Sequence, residues 1–375
     1  KNSLPTVTSI SLAELRQPRI RSLLLADHEF TTPEEIVDWF GAMQAQDLAS
    51  VKWSLGLRLP QLVESNIDAA IEDGSILRTW PMRGTIHMIP SRDARWMLQT
   101  MGVRTLSGVA KRWEYLGLDR ATVESAGEFL GESLRGKRRL TRSEAADALT
   151  QAGIDVTGQR LYHLLWHASQ IGITCIGPTV GKEQTFVRLD EWAPNQRELS
   201  GEGALAELAW RYFRSHGPAL VTDYSGWAGI PVTAARKAIA ANAHRLSQLE
   251  TEFGDMWLPT ELLDQRPAVR GTSVGTEIAT LPGFDEFMLG YKDRRGFMDP
   301  EQMAMVVPGN NGIFRPTIVD AGRVVGTWKR SVTKTKVKVE SIPLSRLSAK
   351  QRKGFDASAA AYGRYLGLPV QVVHA

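Results

Sequence analysis

One pattern recurs three times along this chain and constrains its fold more than any other feature: two or three helical segments, then two short extended segments joined by a glycine-containing turn. In the first copy, residues 11–100, Thr32-Pro33-Glu34-Glu35 reads as an N-cap, a proline at the first helical position and a glutamate at the third, which is a capping box. Ile36, Val37, Phe40 and Met43 follow at helical spacing. Further helices are expected over 48–57 and 66–72, then strands over 76–80 and 85–89, joined by Pro81-Met82-Arg83-Gly84. The second copy, 121–190, opens a helix with another capping box, Thr141-Arg142-Ser143-Glu144. Leu161, Leu164, Leu165 and Ala168 mark one face of a helix over 159–171, and strands 174–176 and 185–187 flank a glycine-rich loop. The third copy, 203–258, predicts helices over 204–215, 222–228 and 233–241 and a hairpin from 246–250 and 253–258. Helix, helix, helix, hairpin is the winged-helix order, in which the third helix and the hairpin are the usual nucleic-acid contacts.

The C-terminal part breaks the pattern. Segments 314–319, 324–330 and 337–342 read as a β-meander with Ala321-Gly322 as its first turn, followed by a helix over 348–366 and a strand over 370–373. The expected fold class is therefore α+β: three tandem winged-helix units, each a helix-turn-helix plus β-hairpin wing, and a small C-terminal β-rich domain. The expected boundaries are 1–110, 111–200, 201–265 and 266–375. A length of 375 residues accommodates such a division.

Composition narrows the function class. No apolar run reaches the roughly 18 residues of a membrane span, and the first residues lack the apolar core of a secretory signal. The single cysteine, Cys175, cannot form an internal disulfide, and no Cys/His spacing resembles a zinc site. The expectation is a cytoplasmic, nucleoid-associated monomer with no metal and no cofactor. The net charge of +4 permits a polyanionic partner without requiring one.

Several segments carry candidate chemistry. Gln44-Ala45-Gln46 places two amides at i and i+2, which diverge on a helix but share a face in extended chain. Acting together therefore requires a non-helical segment; otherwise they are solvated amides at a helix end. Asp47 reads as the N-cap of the next helix rather than as a catalytic acid. In the first hairpin, Arg78, Arg83 and His87 are candidate DNA contacts, set against a reading with Trp80 in the core and the arginines in solvent. His87 as an acid or base is set against a hydrogen-bonded strand histidine. The segment 326–338 contains no acid. It supplies Lys329, Arg330, Lys334 and Lys336, and Lys334, Lys336 and Lys338 alternate as if on one strand face. Such a ridge suits a phosphate backbone, or equally protects an edge strand. Lys292 and Arg294 form a second basic cluster beside Asp285 and Glu286. These two acids as a general acid/base pair are set against structural ion pairing, which is the expected use because adjacent residues in a strand face opposite sides. The eleven tryptophans are read as core.

Taken together, Met43-Gln44-Ala45-Gln46-Asp47, the run from Leu77 through Arg78, Trp80, Arg83 and Gly84 to His87, the run from Leu281 through Phe284, Asp285, Glu286 and Tyr291 to Arg294, and Asn311-Gly312-Ile313-Phe314-Arg315-Pro316-Thr317 resemble the AlkZ/YcaQ family of bacterial DNA glycosylases. The likeness spans nearly the whole chain in order. The Gln-x-Gln motif resembles the AlkZ branch, since the YcaQ branch carries aspartate at the second position. The resemblance implies three winged-helix units in a C-shape around a basic channel. It also implies excision of N7-alkylated purines, including cross-links, from double-stranded DNA, and self-resistance in producers of DNA-alkylating natural products. By motif position, Gln44 and Gln46 take the catalytic places. A non-catalytic winged-helix binder, such as a transcriptional regulator, is the competing reading; three tandem units with no evident ligand domain or coiled coil weigh against it. A protein-binding use is a third, distinguished by a weak salt dependence of DNA binding.

Overall fold

A computed structural model describes residues 7–264 and 278–375. The residues between, including the expected boundary at 265/266, lie outside the described part. The chain forms two compact units, one from residues 1–40, 47–67 and 206–375, the other from 41–46 and 68–205.

The smaller unit is built on a six-stranded sheet in the order Met43–Gln44, Thr85–Pro90, Ile76–Met82, Thr174–Val180, Glu183–Arg188, Arg139–Thr141. Two hairpins meet edge to edge at its centre, with Arg78 opposite Ile176. Each carries a short outer strand against its second arm: Gln44 pairs with His87, and Thr141 with Thr185. Each first arm holds one extra residue near its tip, between Thr79 and Met82 and between Gly177 and Val180. Prolines Pro81 and Pro178 fall in these bulges, where no ladder hydrogen bond is forfeited. The segment expected as a glycine-rich loop at 177–184 is thus mostly strand. Leu164, Leu165 and Ala168 bury the inner face of the Arg160–Gln170 helix against the sheet. Cys175 is fully buried on its strand, and burial pushes its thiol far above the usual range. The native protein is expected to leave a thiol reagent unreacted and to titrate one equivalent only after unfolding; prompt native-state labelling would contradict this packing.

The larger unit contains a four-stranded sheet, Val7–Ile10, Leu246–Thr251, Gly254–Pro259, Ala219–Leu220, and a five-stranded one, Ala279–Leu281, Thr317–Asp320, Arg323–Val332, Val337–Pro343, Val370–His374. The helix Ala349–Leu366, capped by Ser348, packs on the second sheet. Here, too, a short strand (Ala219–Leu220) pairs with the second arm of a hairpin. Along the chain the same order occurs three times: helix, short strand, helix, helix, hairpin. The capping boxes at Thr32 and Thr141 form as expected. Helices at Leu12–Ser22, Ala94–Met101, Val103–Ser107 and Ala110–Leu116 are additional to the sequence reading. The strand expected from Phe314 begins only at Thr317, after Pro316.

The 281–294 motif is a structural joint. Asp285 caps a short helix, accepts from the Ser54 hydroxyl at 2.6 Å and accepts from Arg58 Nη1 and Nη2 at 2.9 and 3.1 Å. Burial pushes the Asp285 carboxyl up, but the Arg58 charge and these hydrogen bonds outweigh it and hold it below the usual carboxylate range. Glu286 lies 3.1 Å from His216 Nε2 and accepts from the Trp227 indole at 3.0 Å. Gly290 leaves room for the His216 ring, which a Cβ would meet at 2.1 Å. Asp285 thus forms the structural ion pair expected of these acids, with Arg58, while Glu286 is held through His216 and the Trp227 indole. Six of the eleven tryptophans, Trp53, Trp80, Trp96, Trp166, Trp227 and Trp328, are buried.

Candidate active site

The Gln-x-Gln segment is extended, as joint action of its amides requires. Gly41, at φ 79°, ends the preceding helix and turns the chain into the Met43–Gln44 strand. Burial then alternates: Met43 and Ala45 are 1% and 0% exposed, Gln44 is half-buried and Gln46 exposed. Period-two burial puts both glutamines on the same side of the segment. The Ala45 N–H donates to the Ile86 carbonyl at 2.8 Å, and the Ile86 N–H donates to Gln46 Oε1 at 3.3 Å. Gln46 is therefore held by its oxygen at the sheet edge. Among the described residues its amide N–H donors and a second oxygen lone pair remain for other partners.

At the tip of the adjoining hairpin, Arg83 and Gly84 both have positive φ, 56° and 68°, which fits the right-handed twist of two-residue hairpins. Arg83 is exposed, and its guanidinium lies 3.0 Å from His87 Nε2. His87 itself is 0% exposed, so it supports Arg83 from beneath and its side chain is not on the surface where a phosphate would bind. Burial, reinforced by the Arg83 charge, pushes its pKa down to about 3 and leaves the imidazole neutral. Arg78 is also buried, at 5% exposed, and burial pushes its pKa down to about 10. The expectation of Arg78 as a surface contact gives way to a cation inside the sheet.

In the larger unit, Asp47 caps the Leu48–Arg58 helix, accepting from Ala49 N–H at 3.1 Å and from the Ser50 hydroxyl at 2.7 Å. Arg330 joins this cap, 3.4 Å from Asp47 and 3.3 Å from Ser50. The acid that follows Gln46 is thus committed to a helix start. Lys334 and Lys336 do not share a strand face with Lys338. Residues 333–336 form the turn between two strands, closed by the Thr333 N–H on the Lys336 carbonyl at 2.9 Å. Lys329, Lys334 and Lys336 are nonetheless all exposed near this tip. Lys292 is exposed, whereas Arg294 is half-buried, its Nε donating to the Met288 carbonyl at 2.7 Å beneath Phe314. The short strands that edge each hairpin leave no sequence signal, since two or three residues are too few for a periodicity. Among the described residues, no cluster of three His, Cys, Asp or Glu side chains is arranged to hold a metal ion, and no helix is long and apolar enough to cross a membrane.

Comparison with known proteins fits this architecture. The chain is 24% identical over 370 residues to an interstrand DNA cross-link repair glycosylase of Streptomyces sahachiroi, covering 95% of this chain and 97% of that protein. The solved structure of Streptomyces sahachiroi DNA glycosylase AlkZ superposes with a TM-score of 0.78 at 22% identity, over 98% of this chain and all of that one, which shows a shared fold. A family model described as DNA glycosylase AlkZ-like matches residues 37–365. The chain therefore belongs to the AlkZ-like family of DNA glycosylases, hydrolytic enzymes acting on DNA.

Proposed function

We propose that this glycosylase hydrolyses the N-glycosidic bond of bulky purines alkylated at N7 in duplex DNA, cross-linked purines included, with Gln44 and Gln46 as the residues that touch the reacting nucleotide. The observation that carries the reading is the extended segment on which two neutral amides share a side, one of them exposed and held by its oxygen at the sheet edge. An N7-alkylated purine is cationic before the enzyme meets it. Cleavage of C1′–N9 returns the bonding pair to the base and neutralises that charge, so no strong acid is needed to assist departure. What remains is to orient a water, whose oxygen bonds to C1′ as its proton passes to solvent, and to fix the sugar. Glutamine cannot take that proton near neutral pH, but its oxygen accepts from a water and its N–H groups donate to sugar oxygens. Gln46 is assigned the water and Gln44 the positioning of the nucleotide.

The name of the Streptomyces sahachiroi relative, a cross-link repair glycosylase, supports including cross-links among the substrates, and the open setting of Gln46 suits a base too large to be swallowed. The proposal extends to repair in the cytoplasm by a monomer and to self-resistance against DNA-alkylating natural products. It also reads the three repeats of helix, short strand, helix, helix and hairpin as three winged-helix units. The test is a duplex carrying one N7-alkylguanine, incubated with protein and then treated with alkali. A strand break at the lesion is expected; intact strands across a panel of small and bulky N7 adducts would refute the reading. The exposed lysines near the 333–336 turn supply phosphate contacts in this account. Lys334→Ala and Lys336→Ala should each lower the slope of log affinity against log salt by about 1, and unchanged slopes would remove that tip from the interface.

A further inference from the structure

The tip of the first hairpin carries a cation whose orientation is built into the strand beneath it. His87 lies directly across from Gln44 on one side and from Thr79 on the other, so the three share a row on one sheet face. Its Nδ1 is 2.9 Å from the Thr85 carbonyl and its Nε2 is 3.0 Å from the Arg83 guanidinium. A carbonyl only accepts and a guanidinium only donates. The proton must therefore sit on Nδ1, and the Nε2 lone pair must receive the Arg83 N–H. Only the neutral imidazole, in this one tautomer, satisfies both contacts.

We propose that His87 is a positioning residue: a buried neutral imidazole that fixes the Arg83 guanidinium at the hairpin tip, at the same end of the strand as Gln46, so that it meets a DNA phosphate already oriented. Gln46 binds Ile86, three residues from Arg83, so both groups are set by one short stretch of strand. The positive φ of Arg83 lifts its side chain at the turn, and the Nε2 bond then selects one orientation of it. Arg83 need not be ordered at the moment of binding, which is where the benefit lies. The inference rests on the proposed reading only in taking DNA as the ligand of this face.

The test measures binding to a lesion-bearing duplex as a function of salt, separately from base release. Arg83→Ala should weaken binding about tenfold and lower the salt slope by about 1. His87→Leu should do the same, and the double variant should be no worse than either alone. His87→Gln, whose Oε1 can accept the Arg83 N–H, should recover binding to within about threefold. A structural histidine would instead give additive losses, a lowered melting temperature in His87→Leu and an unchanged salt slope, which overturns the proposal. Unchanged affinity in Arg83→Ala, an exposed turn substitution that leaves the core intact, overturns it regardless of how the His87 variants fold. Wild-type protein that binds the duplex with these couplings but releases no base would refute the glycosylase reading of the site and leave this inference standing.

Discussion

Asp285→Ala is expected to cost about 3–5 kcal/mol of stability, among the largest effects of any single substitution in this chain. The Arg58 guanidinium and the Asp285 carboxylate are 0% and 1% exposed as side chains, at 2.9 Å. Arg58 also donates to the Leu23 carbonyl and to Ser54, and lies over Phe40 at 5.0 Å. Removing the carboxylate leaves a buried cation with no opposite charge, so the desolvation cost of Arg58 is no longer offset. Replacing both partners together by apolar residues of similar volume should cost far less. Denaturant unfolding of the three proteins decides between these: a shift in midpoint at constant slope measures the stability change, and a loss below about 1 kcal/mol for Asp285→Ala would contradict the burial argument. The linkage has a definite sign. The Asp285 pKa is lowered in the folded state, so the unfolded chain binds its proton first as pH falls. Its contribution is complete above the ordinary carboxylate value of about 4 and is lost as pH drops through the lower folded value.

This joint also shows what was legible in the sequence. A structural use of Asp285 and Glu286 follows from their adjacency, which in extended chain turns them to opposite faces, but their partners do not follow. Arg58 lies 227 positions away in sequence and His216 lies 70 away, and no local pattern links them. The capping boxes at Thr32 and Thr141 and the N-cap at Asp47 were readable because their hydrogen bonds close within three residues. The hairpins were readable because alternation and turn residues are local as well. The errors fall where an exposed position had to be told from a covered one. Arg78 and His87 lie on strands whose two faces are both packed, so alternation gives no sign that a cation and an imidazole are inside. The Lys334, Lys336 and Lys338 alternation was cut by a turn that Thr333 holds closed through its hydroxyl as well as its backbone. The extended state of Gln44-Ala45-Gln46 could be stated only as a condition for function. What enforces it is Ile86, whose carbonyl and N–H take up the Ala45 amide and the Gln46 side chain.

Gln46→Ala should reduce base release by two to three orders of magnitude, the scale seen when one preorganised polar group is removed from a transition state. Among the described residues the exposed side chain has one hydrogen bond, accepted from the Ile86 N–H, so its loss is expected to leave stability nearly unchanged. Gln44→Ala should be comparably slow through misplacement of the sugar. In the proposed account neither substitution removes a phosphate contact, so affinity for lesion-bearing DNA should change by less than a few-fold. Gln46→Glu offers a sharper comparison. A carboxylate there would lose the N–H donors yet add electrostatic support for an oxocarbenium-like state, so it should retain more activity than alanine.

The most direct measurement is single-turnover release of one defined N7-alkylated guanine by wild-type, Gln44→Ala and Gln46→Ala proteins, with duplex binding recorded for each. The account predicts fast release by the wild type, near-background release by both variants and similar dissociation constants for all three. Wild-type rates in both alanine variants, with binding intact, would show that the amides at the sheet edge do not take part in breaking the glycosidic bond.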